Sequence, residues 1–241
     1  MPAERAAIVT GASSGIGLAT ARVLGQEGYA ITAAARRPDK LEGAVKGLAE
    51  EGFEVQAVAA NVADEADVKK VVEAHRDRYG RLDVLVNNAG VGIGAAVAEI
   101  DTKRLDMQLD INLRSIILFY RECVPMLRDA AREHSNAIVV NTASLAGKRG
   151  SGWLSVYSAA KHGVVGWTEA MNNELGPEHI KSTALCPGFV DTPMTDYIKE
   201  HVPAEEMITP EDVAEAVRSL VKASPACLVP EIVFMRPGEA I

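Results

Sequence analysis

Short uninterrupted apolar runs alternate along this chain with longer stretches in which apolar residues recur every three or four positions. The first pattern suits strands buried on both faces, and the second suits helices that lie on them. Ala6-Ala7-Ile8-Val9-Thr10 is the first run, and it passes through Gly11-Ala12-Ser13-Ser14-Gly15-Ile16-Gly17 into a helical pattern over 18–24. A strand at 30–35, a helix at 40–51, a strand at 54–60 and a helix at 65–79 follow, the last with Asp64 placed to cap it. A fourth strand is expected at 82–86. The helical stretch from about 102 to 132 contains Pro125, which should kink or divide it, because proline removes a helix hydrogen bond. Next come a strand at 137–141, a helix that bears Tyr157 and ends near 175 before Pro177, and a strand at 183–186. A helix at 211–222, entered at Thr209-Pro210, and a strand at 231–235 close the series. This alternation predicts an α/β fold: a single Rossmann-type doubly wound parallel sheet with helices on both faces and the ligand at the carboxyl ends of the strands.

Two segments of this pattern carry candidate chemistry. Strand, glycine turn and helix follow one another without a spacer at 6–24, so the helix N-terminus, with its free N–H groups and positive dipole end, points into the turn. A pyrophosphate is the expected guest, although the spacing is G-x-x-x-G-x-G rather than the usual G-x-G-x-x-G. Tyr157 and Lys161 lie four residues apart, which puts a phenol and an ammonium on one helical face. An ammonium roughly 5 Å from the phenol would favour the phenolate by roughly 3 kcal/mol at an effective dielectric of about 20, or about two pKa units. Such a tyrosine is a usable general acid and base for the reduction of a carbonyl or the oxidation of an alcohol. Alone the pair is a weak signal, because the same spacing arises on many helices where Tyr packs and Lys is solvated.

With these segments in place the sequence resembles the classical branch of the short-chain dehydrogenase/reductase family over nearly its whole length. Thr10 to Gly17 is similar to the family's cofactor loop, with Gly11, Ser13, Ser14, Gly15, Ile16 and Gly17 expected at the dinucleotide. Asn87-Asn88-Ala89-Gly90 is similar to the motif after the fourth strand, and Pro187-Gly188 with Val190 and Thr192 to the motif on the nicotinamide side. The resemblance implies a catalytic tetrad of Asn112, Ser144, Tyr157 and Lys161. In it Tyr157 exchanges the proton and Lys161 lowers the tyrosine pKa and binds the nicotinamide ribose. Ser144 holds the carbonyl oxygen, and Asn112 helps to hold a water that links Lys161 to solvent. It also implies that the helices around 111–119 and 155–175 pair between subunits of a homodimer or homotetramer. The apolar residues Ile111, Leu113, Ile116, Ile117, Leu118, Phe119, Val164, Val165, Trp167 and Met171 look like more than one sheet face needs. His162 reads as a packing or interface residue. The segment 189–209 should cover the substrate. The tail from Phe234 to Ile241 departs from the family's glycine-rich ending.

The second strand ends Ala33-Ala34-Ala35 and continues Arg36-Arg37, with no carboxylate where a ribose 2′-hydroxyl would be held. Arg36, helped by Ser13 and Arg37, is therefore expected to bind a 2′-phosphate, which makes NADP(H) the cofactor. Asn61 and Val62 should lie beside the adenine, where the family more often has Asp in place of Asn61. The expected reaction is NADPH-dependent reduction of a small or medium apolar ketone, or the reverse oxidation of a secondary alcohol. Val91 to Gly94, Leu145, Ala146, Trp153, Leu154, Phe189, Met194 and Tyr197 are expected at the nicotinamide, and Lys148 and Arg149 could instead receive an anionic tail. A 3-oxoacyl carrier-protein reductase is the alternative within the class. It is weakened because the helix after Tyr157 reads Glu169-Ala170-Met171-Asn172-Asn173-Glu174, without an arginine for an acidic carrier. A catalytically idle NADP-binding regulator is a more remote one.

Composition narrows the picture further. The 241 residues, 48% of them hydrophobic, suffice for one large core, and no Gly/Ser-rich linker interrupts them, so 1–241 is expected to be a single domain. A net charge of −8 speaks against nucleic acid, and no apolar run reaches membrane-span length, so no membrane partner is expected. Cys123, Cys186 and Cys227 are scattered, fit buried thiols in a reducing cytoplasmic setting, and form no metal-ligand cluster.

Overall fold

The computed structural model of the chain describes residues 4–238. Seven strands form one sheet: β1 (Ala6–Thr10), β2 (Ala30–Ala35), β3 (Val55–Ala59), β4 (Val84–Asn87), β5 (Ala137–Thr142), β6 (Ile180–Pro187) and β7 (Glu231–Phe234). Their order is β3-β2-β1-β4-β5-β6-β7, and every pair is parallel. β1, β2, β4, β5 and β6 are buried at every position, which is what uninterrupted apolar runs require when helices cover both faces. Only the edge strands β3 and β7 are partly open.

The helices are α1 (Gly15–Gln26), α2 (Pro38–Glu50), α3 (Glu65–Tyr79), α4 (Thr102–Leu109), α5 (Ser115–His134), α6 (Ser155–Leu175) and α7 (Pro210–Lys222). One face of the sheet packs on Val68 and Val71 of α3, Phe119 and Leu127 of α5 and Val164 of α6. The other packs on Leu24 of α1, Leu41 and Leu48 of α2 and Val213 and Val217 of α7. Asp64 caps α3 as its position suggested, accepting from the Ala66 N–H at 2.8 Å, and Thr209 and Asp212 close a reciprocal capping box on α7.

The stretch at 102–132 differs from its sequence reading. It is interrupted at a five-residue π segment, Asp110–Arg114, and α5 then runs on through Pro125. Pro125 faces solvent, so the carbonyl it leaves without a helical partner can bond water. The widened π turn instead sets Asn112, fully buried, against the backbone of Val91.

The apolar surplus expected on α5 and α6 is also corrected. Ile111, Ile116, Leu118, Phe119, Val164 and Met171 are buried in the chain's own core, and Trp167 packs edge-on against Tyr120 at 5.7 Å. The exposed face of α6 carries Ala159, His162, Gly166 and Ala170 instead. Beneath it a buried polar chain ties both helices to the sheet. The Tyr120 hydroxyl donates to Ser182 Oγ at 2.8 Å, and Asn141 Nδ2 donates to Tyr120 Oη at 2.9 Å and to Thr168 Oγ1 at 3.0 Å. Cys123 and Cys186 are buried, but Cys227 is exposed, because it lies in the irregular loop before β7. Residues 239–241 of the atypical tail lie outside the described residues. No helix among those described is long and apolar enough to cross a membrane.

Candidate active site

The strand order reverses between β1 and β4, and the cleft opens there, at the carboxyl ends of both strands. It is a cavity of about 510 Å3. One end meets Arg36, Arg37, Asn61 and Val62, and the middle meets Gly11, Ser13, Ser14, Gly15 and Ile16. The other end meets Asn88, Ala89, Gly90, Ser144, Tyr157, Lys161, Pro187, Gly188, Val190 and Thr192. Of the residues singled out in the sequence, Gly17 and Asn112 lie just behind this wall.

Gly15 has φ +53, and a Cβ there would meet Thr192 Cγ2 at 2.8 Å, so glycine is required both by the turn and by the close approach of the covering segment. Ser14 precedes α1 in an extended conformation and makes no side-chain cap, and no acidic residue occupies the first helical turn. The leading N–H groups of α1 therefore face the cleft without a protein partner, as an anion site requires. Thr10 organises the adjoining wall: its Oγ1 donates to the Val86 carbonyl and accepts from the N–H groups of Asn88 and Ala89, at 3.2, 2.9 and 3.0 Å. Arg36 and Arg37 are exposed, and neither guanidinium has an ion-pair partner among the described residues. A long cleft with an anion-ready helix terminus at its centre and open guanidinium groups at one end fits a phosphorylated dinucleotide.

At the other end Ser144 follows β5 directly, and Tyr157 and Lys161 lie in the first two turns of α6. The Ser144 hydroxyl accepts from the Ala146 N–H at 3.1 Å and lies 3.4 Å from the Pro187 carbonyl. Lys161 is buried, its ammonium donates to the Thr142 carbonyl at 2.6 Å, and it sits 5.6 Å from the centre of the Tyr157 ring. Burial lowers its pKa to about 8. Burial also pushes the Tyr157 phenol up to about 12, against the opposing effect of the Ser144 hydroxyl. Burial thus acts on the phenol in the opposite sense to the charge of Lys161.

Asn112 is bound at both ends to one residue: Oδ1 accepts from the Val91 N–H at 3.0 Å and Nδ2 donates to the Val91 carbonyl at 2.8 Å. Gln108, one turn earlier and equally buried, accepts from the Ile93 N–H at 3.0 Å. Two amide side chains four residues apart therefore grip alternate residues of an extended segment, and that segment passes beside Tyr157, whose ring lies 3.9 Å from where a Gly92 Cβ would be. Gln108 had no signal in the sequence, where it reads as an ordinary helical polar residue. Val91 and Gly92 line the cavity, whereas Ile93, Gly94 and Trp153 do not; Trp153 stands outside it, beside the ring of the lining residue Tyr197. Leu145, Ala146, Leu154, Phe189, Met194 and Tyr197 line it as expected. Lys148 is held by Glu231 at 2.9 Å, and Arg149 lines the mouth. His162 is exposed, away from the cleft, with Nδ1 2.8 Å from the Ser158 carbonyl oxygen.

A doubly wound parallel sheet with a dinucleotide-shaped cleft at its switch point, and a Tyr and Lys at the end of that cleft, defines a nucleotide-dependent oxidoreductase. Comparison with known proteins specifies the family. The short chain dehydrogenase family model matches residues 5–203, and the chain belongs to that family. It is 43% identical over 197 residues to the ketoacyl reductase assigned to the monensin polyketide synthase of Streptomyces virginiae, covering 82% of this chain and 75% of that one. An actinorhodin polyketide ketoreductase variant solved with NADPH superposes with a TM-score of 0.88 at 34% identity, over 95% of each chain. A 3-ketoacyl-(acyl-carrier-protein) reductase from Brucella melitensis, solved with NADH, superposes at 0.87 with 28% identity, over 95% of this chain and 96% of that one. The protein is an oxidoreductase acting on CH–OH or C=O groups.

Proposed function

We propose that the protein is an NADPH-dependent carbonyl reductase, able to run in reverse as a secondary alcohol dehydrogenase, and that 1–241 is one cofactor-binding domain whose segment 189–209 covers the substrate. The observation that carries this reading is the placement of Ser144, Tyr157 and Lys161 at one end of a cleft whose other end carries the open cations Arg36 and Arg37. When bound, the nicotinamide supplies the hydride. Ser144 holds the substrate carbonyl through its hydroxyl, and the Tyr157 Oη proton passes to the carbonyl oxygen as charge develops there. Burial raises the pKa of the phenol to about 12, so Tyr157 carries the proton that the carbonyl oxygen takes up in the neutral range. Lys161, anchored on Thr142, presents its ammonium to the cofactor ribose, and Asn112 holds the Val91 segment beside the reacting centre. Arg36 takes the 2′-phosphate, with Ser13 and Arg37 beside it. The homodimer or homotetramer that the family resemblance implies would form through the exposed faces of α5 and α6.

The likeness to polyketide ketoacyl reductases favours a second reading, in which the ketone is a 3-oxoacyl thioester. Arg149 at the mouth supports it, because a guanidinium there can meet a carrier's phosphate. Oxidation of NADPH in the presence of neutral ketones and of a 3-oxoacyl cysteamine thioester tests both. Turnover of the ketones alone supports the first reading and at least tenfold preference for the thioester the second. Turnover of neither overturns both.

A further inference from the structure

We propose that Trp153 sets the substrate specificity of this cleft, its indole forming a platform at the mouth for the planar apolar ring system of a ring-bearing ketone, away from the reacting carbonyl. This rests on the reductase reading and deepens it. Trp153 has φ +67, a left-handed conformation that a bulky aromatic residue rarely adopts, at the residue before the N-cap of α6 and four positions ahead of Tyr157. Three contacts hold it there. Its carbonyl accepts from the Ala95 N–H at 2.8 Å, its indole lies so close on Gly94 that a Cβ there would overlap the ring, and it meets the Tyr197 ring at 6.4 Å with the planes at 52°.

Strained backbone of this kind clusters at ligand-binding sites, and Trp153 holds it while 57% exposed. Tyr197, 56% exposed, and Met194, 44% exposed, line the cleft, and the Tyr197 ring brings the indole to its edge. Clustered exposed apolar side chains at the rim of a cleft are a surface waiting for a ligand. One face of the indole is taken by Gly94, and Tyr197 is tilted against it, so a flat ring laid at the mouth continues an edge-to-face cluster, which a flexible linear chain does not match. The same Gly92-Ile93-Gly94 segment that passes Tyr157 carries the glycine under the indole, so a ring on this platform is joined to the proton donor by one rigid wall.

The test uses the NADP+-saturated enzyme and two ketones of equal carbon count, tetralone and a linear methyl ketone. In a Trp167→Phe background Trp153 is the remaining one of the chain's 2 tryptophans, so its fluorescence reports on the mouth directly. Saturable quenching by tetralone but not by the linear ketone is expected. In turnover, Trp153→Ala should lower kcat/KM for tetralone about tenfold and leave the linear ketone within about twofold. Trp153→Phe, which retains a ring, should keep most of the preference. Gly94→Ala, which retains the tryptophan but displaces it, should lose the preference as Trp153→Ala does. Equal loss for both ketones, or no quenching by tetralone, would overturn the platform while leaving the reductase reading intact. Failure of the unsubstituted enzyme to reduce either ketone would remove the parent reading and this proposal with it.

Discussion

At the residue scale the outcome turns on how burial and charge compete. Tyr157 and Lys161 share one face of α6, with the ammonium 5.6 Å from the ring centre, while burial raises the pKa of the phenol and lowers that of the ammonium. Replacing Tyr157 by Phe keeps the ring and removes the proton, so turnover should fall by about a hundredfold or more while NADPH affinity, measured by fluorescence titration, stays within a few-fold. Retention of most activity would exclude Tyr157 as the donor. At the far end of the cleft, Ala35 stands where an acidic residue would select NAD, and Arg36 follows it exposed. NADPH should bind at least about tenfold more tightly than NADH, a difference of about 1.4 kcal/mol, and Ala35→Asp with Arg36→Ala should reverse the order. Calorimetric dissociation constants decide this, and equal values for the two cofactors would refute the assignment. These polar residues were legible in the sequence because their types and spacing are set by the chemistry. Gln108 and Trp153 were not, because a buried amide and a left-handed tryptophan show their roles only through what they touch.

At the scale of elements, strands and short helices follow local pattern closely, and departures occur where a tertiary contact competes. β2, α3 and the end of α6 stand where periodicity and capping put them. The interruption at 110–114 has no proline or glycine to announce it; it accompanies the bonds between Asn112 and Val91, a residue 21 positions away. His75 on α3 offers a test of how elements are joined. It is fully buried, with Nδ1 2.7 Å from Thr32 Oγ1 on β2 and Nε2 2.8 Å from the Arg81 carbonyl. The Arg81 carbonyl can only accept, so Nε2 carries the proton, and in the neutral imidazole Nδ1 accepts from the Thr32 hydroxyl, which itself accepts from Gln56 Nε2 at 2.8 Å. Burial lowers the pKa of the imidazole from 6.5 to about 4. The unfolded chain therefore binds the extra proton first as pH falls, and the fold is fully stable above about 6.5 and weakens progressively down to about 4. The loss from this one site should reach about 3 kcal/mol, measured as the denaturant midpoint against pH, and His75→Gln should flatten that part of the curve. An unchanged pH profile in the variant would show that His75 is not responsible.

At the scale of the whole molecule, the cleft joins β1, β4, β5, β6, α1, α6 and the covering segment, so a ligand that fills it should stabilise all of them together. NADPH at about one hundred times its dissociation constant should add about 2.7 kcal/mol to unfolding and raise the melting temperature by several degrees. NADH at the same concentration should do less, and Arg36→Ala should abolish the difference; equal shifts in the unsubstituted protein would contradict the NADP reading. The sequence by itself determined the α/β class, the strand and helix order, and the positions of the glycine turn and of Ser144, Tyr157 and Lys161. Hydrophobic period, turn chemistry and motif spacing are local, and they survive whatever the rest of the chain does. Only the tertiary structure decided that the apolar faces of α5 and α6 are spent on the chain's own core and that Lys161 is buried against the Thr142 carbonyl. It alone also set Asn112 and Gln108 to grip the Val91–Ile93 segment, and left Trp153 standing open at the mouth. Each of these depends on burial or on a partner distant in sequence, and neither quantity exists until the sheet has closed its two layers around itself.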